Sequence, residues 1–465
     1  MVHRVAVIGA GPSGLSSVKA CLDEGLLPTC FESSDDLGGL WRFKEVSEPN
    51  RANIYRSLTI NTSKEMICFS DFPIPADYPN YMHHSKILSY FKMYAEHFHL
   101  LQHIRFQTSV KTIKERPDFS RSGQWEVVTE GGGGQQEKHV FDAVICCSGH
   151  YTYPNLPLKD FPGELFQLLP ANIMNWLGEK KVNAMYDHTM YALKPKHRLF
   201  SQIPVINDDL PFRILSGSVI LKPNVKEIRA SSVLFDDGSA VEDVDTIVFA
   251  TGYNYDFPYM PSSAVYRSGH RVGLYKHIFP PNLEHPTLAV VGFIHALGAI
   301  MPQAEIQARW VARVFKGEAK FILHLQLTSN SGRVHSYIVS KLAPLHVDFV
   351  SYMDEVAAEV GARPSLLWLF FTDYQLFKRI LWGPVSAYQY RLVGPGKWAG
   401  ARRAIFTQFD RMFKPLKTRE LEVEQASVSS RLMKLSLTAV AGAAAVYYVH
   451  VRDPTLLSKL RPQTA

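Results

Sequence analysis

Val5-Ala6-Val7-Ile8-Gly9-Ala10-Gly11-Pro12-Ser13-Gly14 stands almost at the start of the chain, and Leu15-Ser16-Ser17-Val18-Lys19-Ala20-Cys21-Leu22 follows it. Four consecutive apolar residues bounded by glycine fit a buried parallel strand, and the spacing of Leu15, Val18 and Leu22 suits a helix. The glycines therefore sit at a strand-to-helix turn. Gly9 can make the tight turn, Gly11 lets backbone come close to a pyrophosphate, and Gly14 lets the helix pack tightly on the strand, so the helix N-terminus faces phosphate. A second apolar run, Thr29-Cys30-Phe31, ends at Glu32, near the roughly 20-residue offset at which an acid accepts a ribose hydroxyl. A bare Gly-x-Gly-x-x-Gly also occurs as a plain structural turn. Here strand, helix and acid come in the required order, which predicts a dinucleotide-binding α/β unit.

Composition sets the outer bounds. With 465 residues, 46% of them hydrophobic, the chain can bury a large core spread over two or more lobes. Val2-His3-Arg4 runs directly into the first strand, so no cleaved secretory leader is predicted and the working domain is expected in the cytosol. The five cysteines, Cys21, Cys30, Cys68, Cys146 and Cys147, lie in the first third of the chain without metal-ligand spacing; they read as reduced structural thiols. A formal charge of +7 suits phosphate-bearing cofactors or an anionic membrane surface. No basic stripe interleaved with aromatics points to nucleic acid.

Beyond Glu32 comes Asp35-Asp36-Leu37-Gly38-Gly39-Leu40-Trp41-Arg42, whose paired glycines permit another close backbone approach to a cofactor. Further on stands Tyr55-Arg56-Ser57-Leu58-Thr59-Ile60-Asn61-Thr62-Ser63-Lys64-Glu65-Met66. Together with Gly9 to Gly14 and Glu32, these stretches resemble the flavin-containing monooxygenases of the animal, dimethylaniline-oxidising type. The resemblance implies that the first dinucleotide is FAD. It implies that Gly9, Ala10, Gly11, Pro12, Ser13 and Gly14 cradle the pyrophosphate and that Glu32 holds the ribose. Gly39, Leu40, Trp41, Ile60, Asn61 and Thr62 then line the path toward the isoalloxazine.

Asn61 carries three readings. Asn61-Thr62-Ser63 matches a glycosylation sequon, which belongs on a secreted surface loop; the residue also suits a plain turn. In the family an amide here sits beside the flavin and nicotinamide and helps hold the oxygenated intermediate, which would make Asn61 the catalytic residue. His83 and His84 read as surface or capping residues, since no carboxylate or cysteine accompanies them at metal spacing. His150, without a partner in sequence reach, reads as structural. A helix is predicted over Ser85 to Phe98 and strands over Gly123 to Val128 and Val140 to Cys146.

The family pattern then breaks. A second, inserted domain with its own strand, Gly-x-Gly-x-x-Gly and helix for NADPH is implied after Pro157, yet Asp160-Phe161-Pro162-Gly163 passes directly to Glu164-Leu165-Phe166-Gln167, which resembles a much later helix. Between Gly149 and Phe249 the glycines Gly163, Gly178, Gly217 and Gly238 stand singly. The NADPH motif is therefore expected to be missing, and residues from Asn172 to Arg198 to lean on a truncated sheet whose apolar surface has lost its partners.

The likeness resumes at Thr246-Ile247-Val248-Phe249-Ala250-Thr251-Gly252-Tyr253, expected as a buried strand and turn returning to the FAD domain. It continues through Leu288 to Phe293 and Leu297 to Pro302, with a helix around Glu305 to Phe315 expected to close over the cofactor. The run Leu366-Leu367-Trp368-Leu369-Phe370-Phe371 reads as core, and Phe321 to Leu327 alternates like a strand. Leu435 to Val451 is nearly uncharged and bounded by Arg431, Lys434 and Arg452, a borderline length for a membrane anchor.

The predicted class is α/β: a doubly wound, Rossmann-like FAD-binding domain with a truncated second nucleotide-binding lobe and a helical C-terminal region. The expected divisions are 1–157, first part of the FAD domain; 158–245, remnant of the NADPH lobe; 246–430, FAD-domain return and helical region; and 432–451, the anchor. The resemblance implies NADPH- and O2-dependent oxygenation of soft nitrogen or sulfur nucleophiles through a flavin hydroperoxide, on the cytosolic side of the endoplasmic reticulum membrane. Loss of the NADPH motif would impair it. An inactive or peroxide-producing FAD protein, and a simple FAD reductase or oxidase, are the alternatives.

Overall fold

Short strands buried on both faces set the architecture. The computed structural model describes residues 2–46, 53–150, 182–195, 209–251, 257–261, 271–281, 283–296, 298–319 and 349–418, with short stretches at 153–154, 253–254, 266–268 and 346–347 and positions 176, 179 and 180. Its principal elements are β1 (Arg4–Ile8), α1 (Pro12–Asp23), β2 (Leu27–Phe31), α2 (His84–His97), β3 (Ile104–Arg105), β4 (Thr108–Glu115), β5 (Trp125–Gly131), β6 (Gln136–Phe141), β7 (Ala143–Cys146), β8 (Leu288–Val290) and α3 (Ile300–Lys316). A five-stranded parallel sheet runs in the order β8-β7-β1-β2-β3.

Register aligns Cys30, Val7, Ile145 and Ala289 in one row across that sheet. All four belong to the core shared with Leu15, Val18 and Trp310 of α1 and α3. Their neighbours along the strands, Ala6, Ile8, Phe31, Val144 and Leu288, point to the other face and meet Ile113, Trp125, Val127 and Phe141 of the antiparallel sheet β4-β5-β6. Period-two side chains thus feed two cores from one sheet. The fully buried Trp125 donates its indole N–H to Thr287 Oγ1 at 3.0 Å, so the indole is not a stranded donor in the second core.

The single strand expected from Val140 to Cys146 is two. Asp142 interrupts it: its Oδ2 accepts the amides of His3 and Arg4 at 2.8 and 2.9 Å, and its own N–H donates to Arg4 O. Chain leaves the antiparallel sheet at Phe141 and enters the parallel one at Ala143.

Contacts divide the chain into two compact units, one of Met1–His150, Tyr255–Val339 and Pro344–Ala465, the other of Tyr151–Asn254 and Ser340–Ala343. In the first, α3 packs on α1, and α4 (Phe349–Val360) packs on α3. The helix expected at Glu305–Phe315 is thus longer and covers a face of the sheet. Downstream lie α5 (Leu366–Thr372), α6 (Tyr374–Trp382) and α7 (Ala401–Phe413). In α5 only Leu366 and Leu369 are buried, while Trp368 and Phe371 are 65% and 76% exposed. The core reading of Leu366 to Phe371 is corrected accordingly, because a seven-residue helix can turn only one stripe inward.

A buried ionic cluster ties the C-terminal part to the sheet. Arg391 reaches Glu305 at 2.6 Å and Asp71 at 2.8 Å, Ser70 donates its amide and hydroxyl to Glu305, and Lys19 of α1 reaches Asp71 at 3.1 Å. Burial alone would lower the Arg391 pKa; the carboxylates of Glu305 and Asp71 outweigh it and raise it.

In the second unit, Val225–Ile228, Val233–Phe235 and Ala240–Val241 form an antiparallel sheet in which Val233 alone is buried. The stretch from Thr246 to Ala250, expected as a buried strand, has no strand pairing, and Ile247, Val248 and Phe249 are 42%, 83% and 58% exposed. Apolar β-branched residues form a strand only where a neighbour receives the backbone and one face; none among the described residues does. Only Tyr253–Asn254 pairs, antiparallel to Tyr153–Pro154. The segments 158–170, 321–327 and 432–451, on which the junction, strand and anchor readings fall, lie outside the described residues.

Candidate cofactor-binding site

The turn after β1 is built by exclusion of side chains. Gly9 has φ +98 and donates its amide to Phe31 O at 2.8 Å; a Cβ there would stand 2.8 Å from Cys147 O. A Cβ on Gly14 would overlap Gly9 O, so helix and strand approach as the spacing predicts. Pro12 takes the first turn of α1, where its missing N–H costs no hydrogen bond. The turn opens at the C-terminal edge of β1, β7 and β8, the place where open α/β sheets bind ligands.

Glu32 grips this turn. It is buried, its Oε2 accepts the Ala10 amide at 2.7 Å, and its Oε1 accepts the Ser34 amide and hydroxyl at 2.9 and 2.7 Å. The acid expected to meet a ribose therefore also fixes the loop that would hold the pyrophosphate. Ser34 was invisible to motif reasoning; its only sign is a small polar residue two positions on.

The second glycine pair closes over the first. Gly38 (φ +117) donates its amide to Ala10 O at 3.0 Å, and Gly39 (φ +54) sits so close that a Cβ there would stand 3.1 Å from Gly11 Cα. Gly39, Leu40 and Trp41 form a short 3-10 turn beside it. Ile60 is buried with its amide on Met82 O, whereas Asn61 is exposed, its Oδ1 accepting from Thr62 Oγ1 at 3.4 Å.

At this point the protein can be placed by comparison. The model of the family described as "FMO-like: Flavin-binding monooxygenase-like" matches residues 2–167 and 164–450. The chain belongs to this family. Dimethylaniline monooxygenase [N-oxide-forming] 2 of Cavia porcellus is 43% identical over 525 residues, covering 95% of this chain and 98% of that protein. Flavin-containing monooxygenase 5 of Mus musculus is 44% identical over 522 residues, covering 94% and 98%. Among solved structures, S-allyl-L-cysteine S-oxygenase from Allium sativum superposes with a TM-score of 0.58 at 23% identity, over 89% of this chain and 99% of that one; this likeness concerns the fold.

Family membership implies FAD and NADPH as cofactors, and the residues present fit a flavin dinucleotide. Glycines 9, 11, 14 and 39 leave a cradle without side chains, and α1 directs its N-terminus into it. Gln303, in the first turn of α3, is fully buried with neither amide atom hydrogen-bonded to a described residue, a polar group that a ligand can satisfy.

The other candidates find structural employment in this family member. His83 caps α2, accepting from the Ser85 amide, and both His83 and His84 reach Arg56 O, at 2.7 and 3.1 Å. His150 is buried edge-on to Phe293. All five cysteines are free and buried; burial pushes Cys147 up to about 12 although Ser17 partly offsets it, so these thiols are unreactive.

Proposed function

We propose that this chain holds FAD in the Gly9–Gly14 cradle as a flavin-dependent monooxygenase whose nicotinamide site has been lost, so that NADPH reduces it poorly. The observation that carries the proposal is the mutual closure of the two glycine loops, Gly39 on Gly11 and Gly38 on Ala10, at the C-terminal edge of a parallel sheet. Ser13 and Gly14 amides at the head of α1 face the anionic pyrophosphate. Glu32 keeps the loop rigid and offers its remaining lone pairs to a ribose. Leu40, Trp41 and Ile60 supply apolar wall, and the exposed Asn61 amide, which carries both a donor and an acceptor, orients the reacting end. When bound, the flavin supplies the redox chemistry that moves one oxygen atom of O2 to a soft nitrogen or sulfur nucleophile. The protein's part is to bind, orient and exclude water.

Three observations support the loss. The family model matches in two stretches that meet at residues 164–167, where Gly163 runs into Glu164. The relatives match over more than 510 residues against a chain of 465. Thr246 to Ala250 has the composition of a buried strand and, among the described residues, no strand beside it. An uncoupled, peroxide-producing enzyme is the second reading these favour. The uncharged stretch Leu435 to Val451 is proposed as an anchor that keeps the catalytic part on the cytosolic face of the endoplasmic reticulum membrane; among the described residues no helix is long and apolar enough to cross a membrane.

Anaerobic bleaching of the flavin absorbance is the test. Dithionite should bleach the purified yellow protein at once, and NADPH only slowly. Rapid bleaching by NADPH would overturn the claim of a missing nicotinamide site, and colourless protein that takes up no FAD would overturn the flavin reading.

A further inference from the structure

Behind the cradle runs a buried hydrogen-bond chain that the binding scheme above leaves unused. Gly292, just past β8, has φ +82, and a Cβ there would overlap Ser13 Oγ, so its backbone lies directly on the cradle. The Gly292 amide donates to Gln307 Oε1 at 2.8 Å, Gln307 Nε2 donates to the Tyr352 hydroxyl at 2.6 Å, and that hydroxyl donates to Lys276 O at 2.7 Å. Gln307 lies in α3 and Tyr352 in α4, both fully or nearly fully buried. The chain ends on an unusual turn. Ile278 donates its amide to Tyr275 O at 3.0 Å, and the two residues between, Lys276 and His277, have φ +50 and +61 and are buried.

Two central residues with positive φ make the geometry of a type I′ turn, which ordinarily carries Asn-Gly. Lysine and histidine persist there only because their surroundings over-determine them, and such strain concentrates at functional sites. Lys276 Nζ is held between Glu355 Oε1 and Glu359 Oε1, each at 2.8 Å, which pins the turn to the same helix that carries Tyr352.

The geometry points to Gln307 and Tyr352 as positioning residues that set the Gly292 wall of the cradle against Ser13, and thereby the affinity for the dinucleotide's phosphates. The relay needs an amide side chain, because one group must accept from a backbone N–H and donate to a hydroxyl at the same time; leucine does neither, and glutamate only accepts. Without it the Gly292 peptide can rotate, and Ser13 at the head of α1 loses the surface that holds it. This inference rests on the reading of Gly9 to Gly14 as the flavin site.

The test is FAD titration of the full-length apoprotein, read by quenching of flavin fluorescence, alongside thermal unfolding without FAD. Gln307→Leu should raise the FAD Kd about tenfold and Tyr352→Phe about threefold, the range of one lost buried hydrogen bond. The double variant should bind about as the Gln307→Leu single variant does, since both act through one relay. Should Gln307→Leu fail to fold, Tyr352→Phe decides alone, because it removes one oxygen and leaves the Gly292–Gln307 bond in place. A lowered unfolding temperature with FAD Kd unchanged within about twofold in either folded variant reduces the relay to packing and overturns the inference. Failure of the unsubstituted chain to take up FAD overturns the flavin reading itself, and this inference with it.

Discussion

The Ala10 amide points at Glu32 Oε2 from 2.7 Å, so the acid that ends β2 grips the glycine turn that ends β1. Both groups are buried. Replacing Glu32 by glutamine puts an NH2 where the Ala10 amide, or the Ser34 amide and hydroxyl, now find an acceptor, at a cost of about 1.5–3 kcal/mol. Glu32→Gln should therefore lower stability in urea by that amount and release FAD on gel filtration. Full flavin retention at wild-type stability would show that the clamp is not needed.

The glycines separate folding from binding. At Gly14 an added methyl group meets the Gly9 carbonyl, which is backbone and cannot move aside, so Gly14→Ala should give insoluble or unfolded protein. At Gly11, with φ −73, the same methyl stands 3.7 Å from Gly39 Cα, an ordinary contact. Gly11→Ala should fold within about 1 kcal/mol of wild type and yet bind FAD weakly, because its Cβ would occupy part of the cradle between the two glycine loops that is proposed to take the pyrophosphate. Circular dichroism and flavin content, measured on both, check the contrast.

Arg391 and Glu305, each about 4% exposed on its side chain, meet at 2.6 Å. Removing one partner leaves the other charged and desolvated, which costs about 3–5 kcal/mol. Arg391→Met should lower the unfolding free energy measured in urea by that much. The double variant Arg391→Met, Glu305→Met should recover part of the loss, although Asp71 is left with Lys19 as its cation; a double variant less stable than the single would refute the account.

Burial depresses the His277 pKa to about 4, against a partial opposing pull from Glu355. The unfolded chain, titrating near 6.5, binds the extra proton first as pH falls. Stability is therefore fully present above pH 6.5 and declines down to about pH 4, by about 3 kcal/mol in all. Unfolding free energies at pH 7, 5.5 and 4.5 should show this slope, and His277→Asn, which tolerates the left-handed backbone, should flatten it.

Much of the cradle was legible from residues 5 to 32. A strand, a glycine turn, a helix and an acid are local signals with fixed spacing, and β1, α1, β2 and Glu32 stand where that spacing puts them. The capping role of His83 and the inertness of the cysteines were legible in the same way, from missing partners. Local pattern failed where a neighbour decides the outcome. Val140 to Cys146 reads as one strand, but Asp142 hands the chain from one sheet to another. Leu366 to Phe371 reads as core, but only one stripe of α5 finds a surface to cover. Thr246 to Phe249 has strand composition and pairs with nothing described.

By itself the amino-acid sequence determined the α/β class, the dinucleotide turn and the family, because each depends on residues close together along the chain. Tertiary structure alone decided that Gly39 closes on Gly11, that Glu32 serves the loop as well as a ribose, and that Gln307 and Tyr352 stand behind Gly292. Those pairings bring together residues 15 to 45 positions apart, and only burial, which forces each polar group to find a partner, selects them.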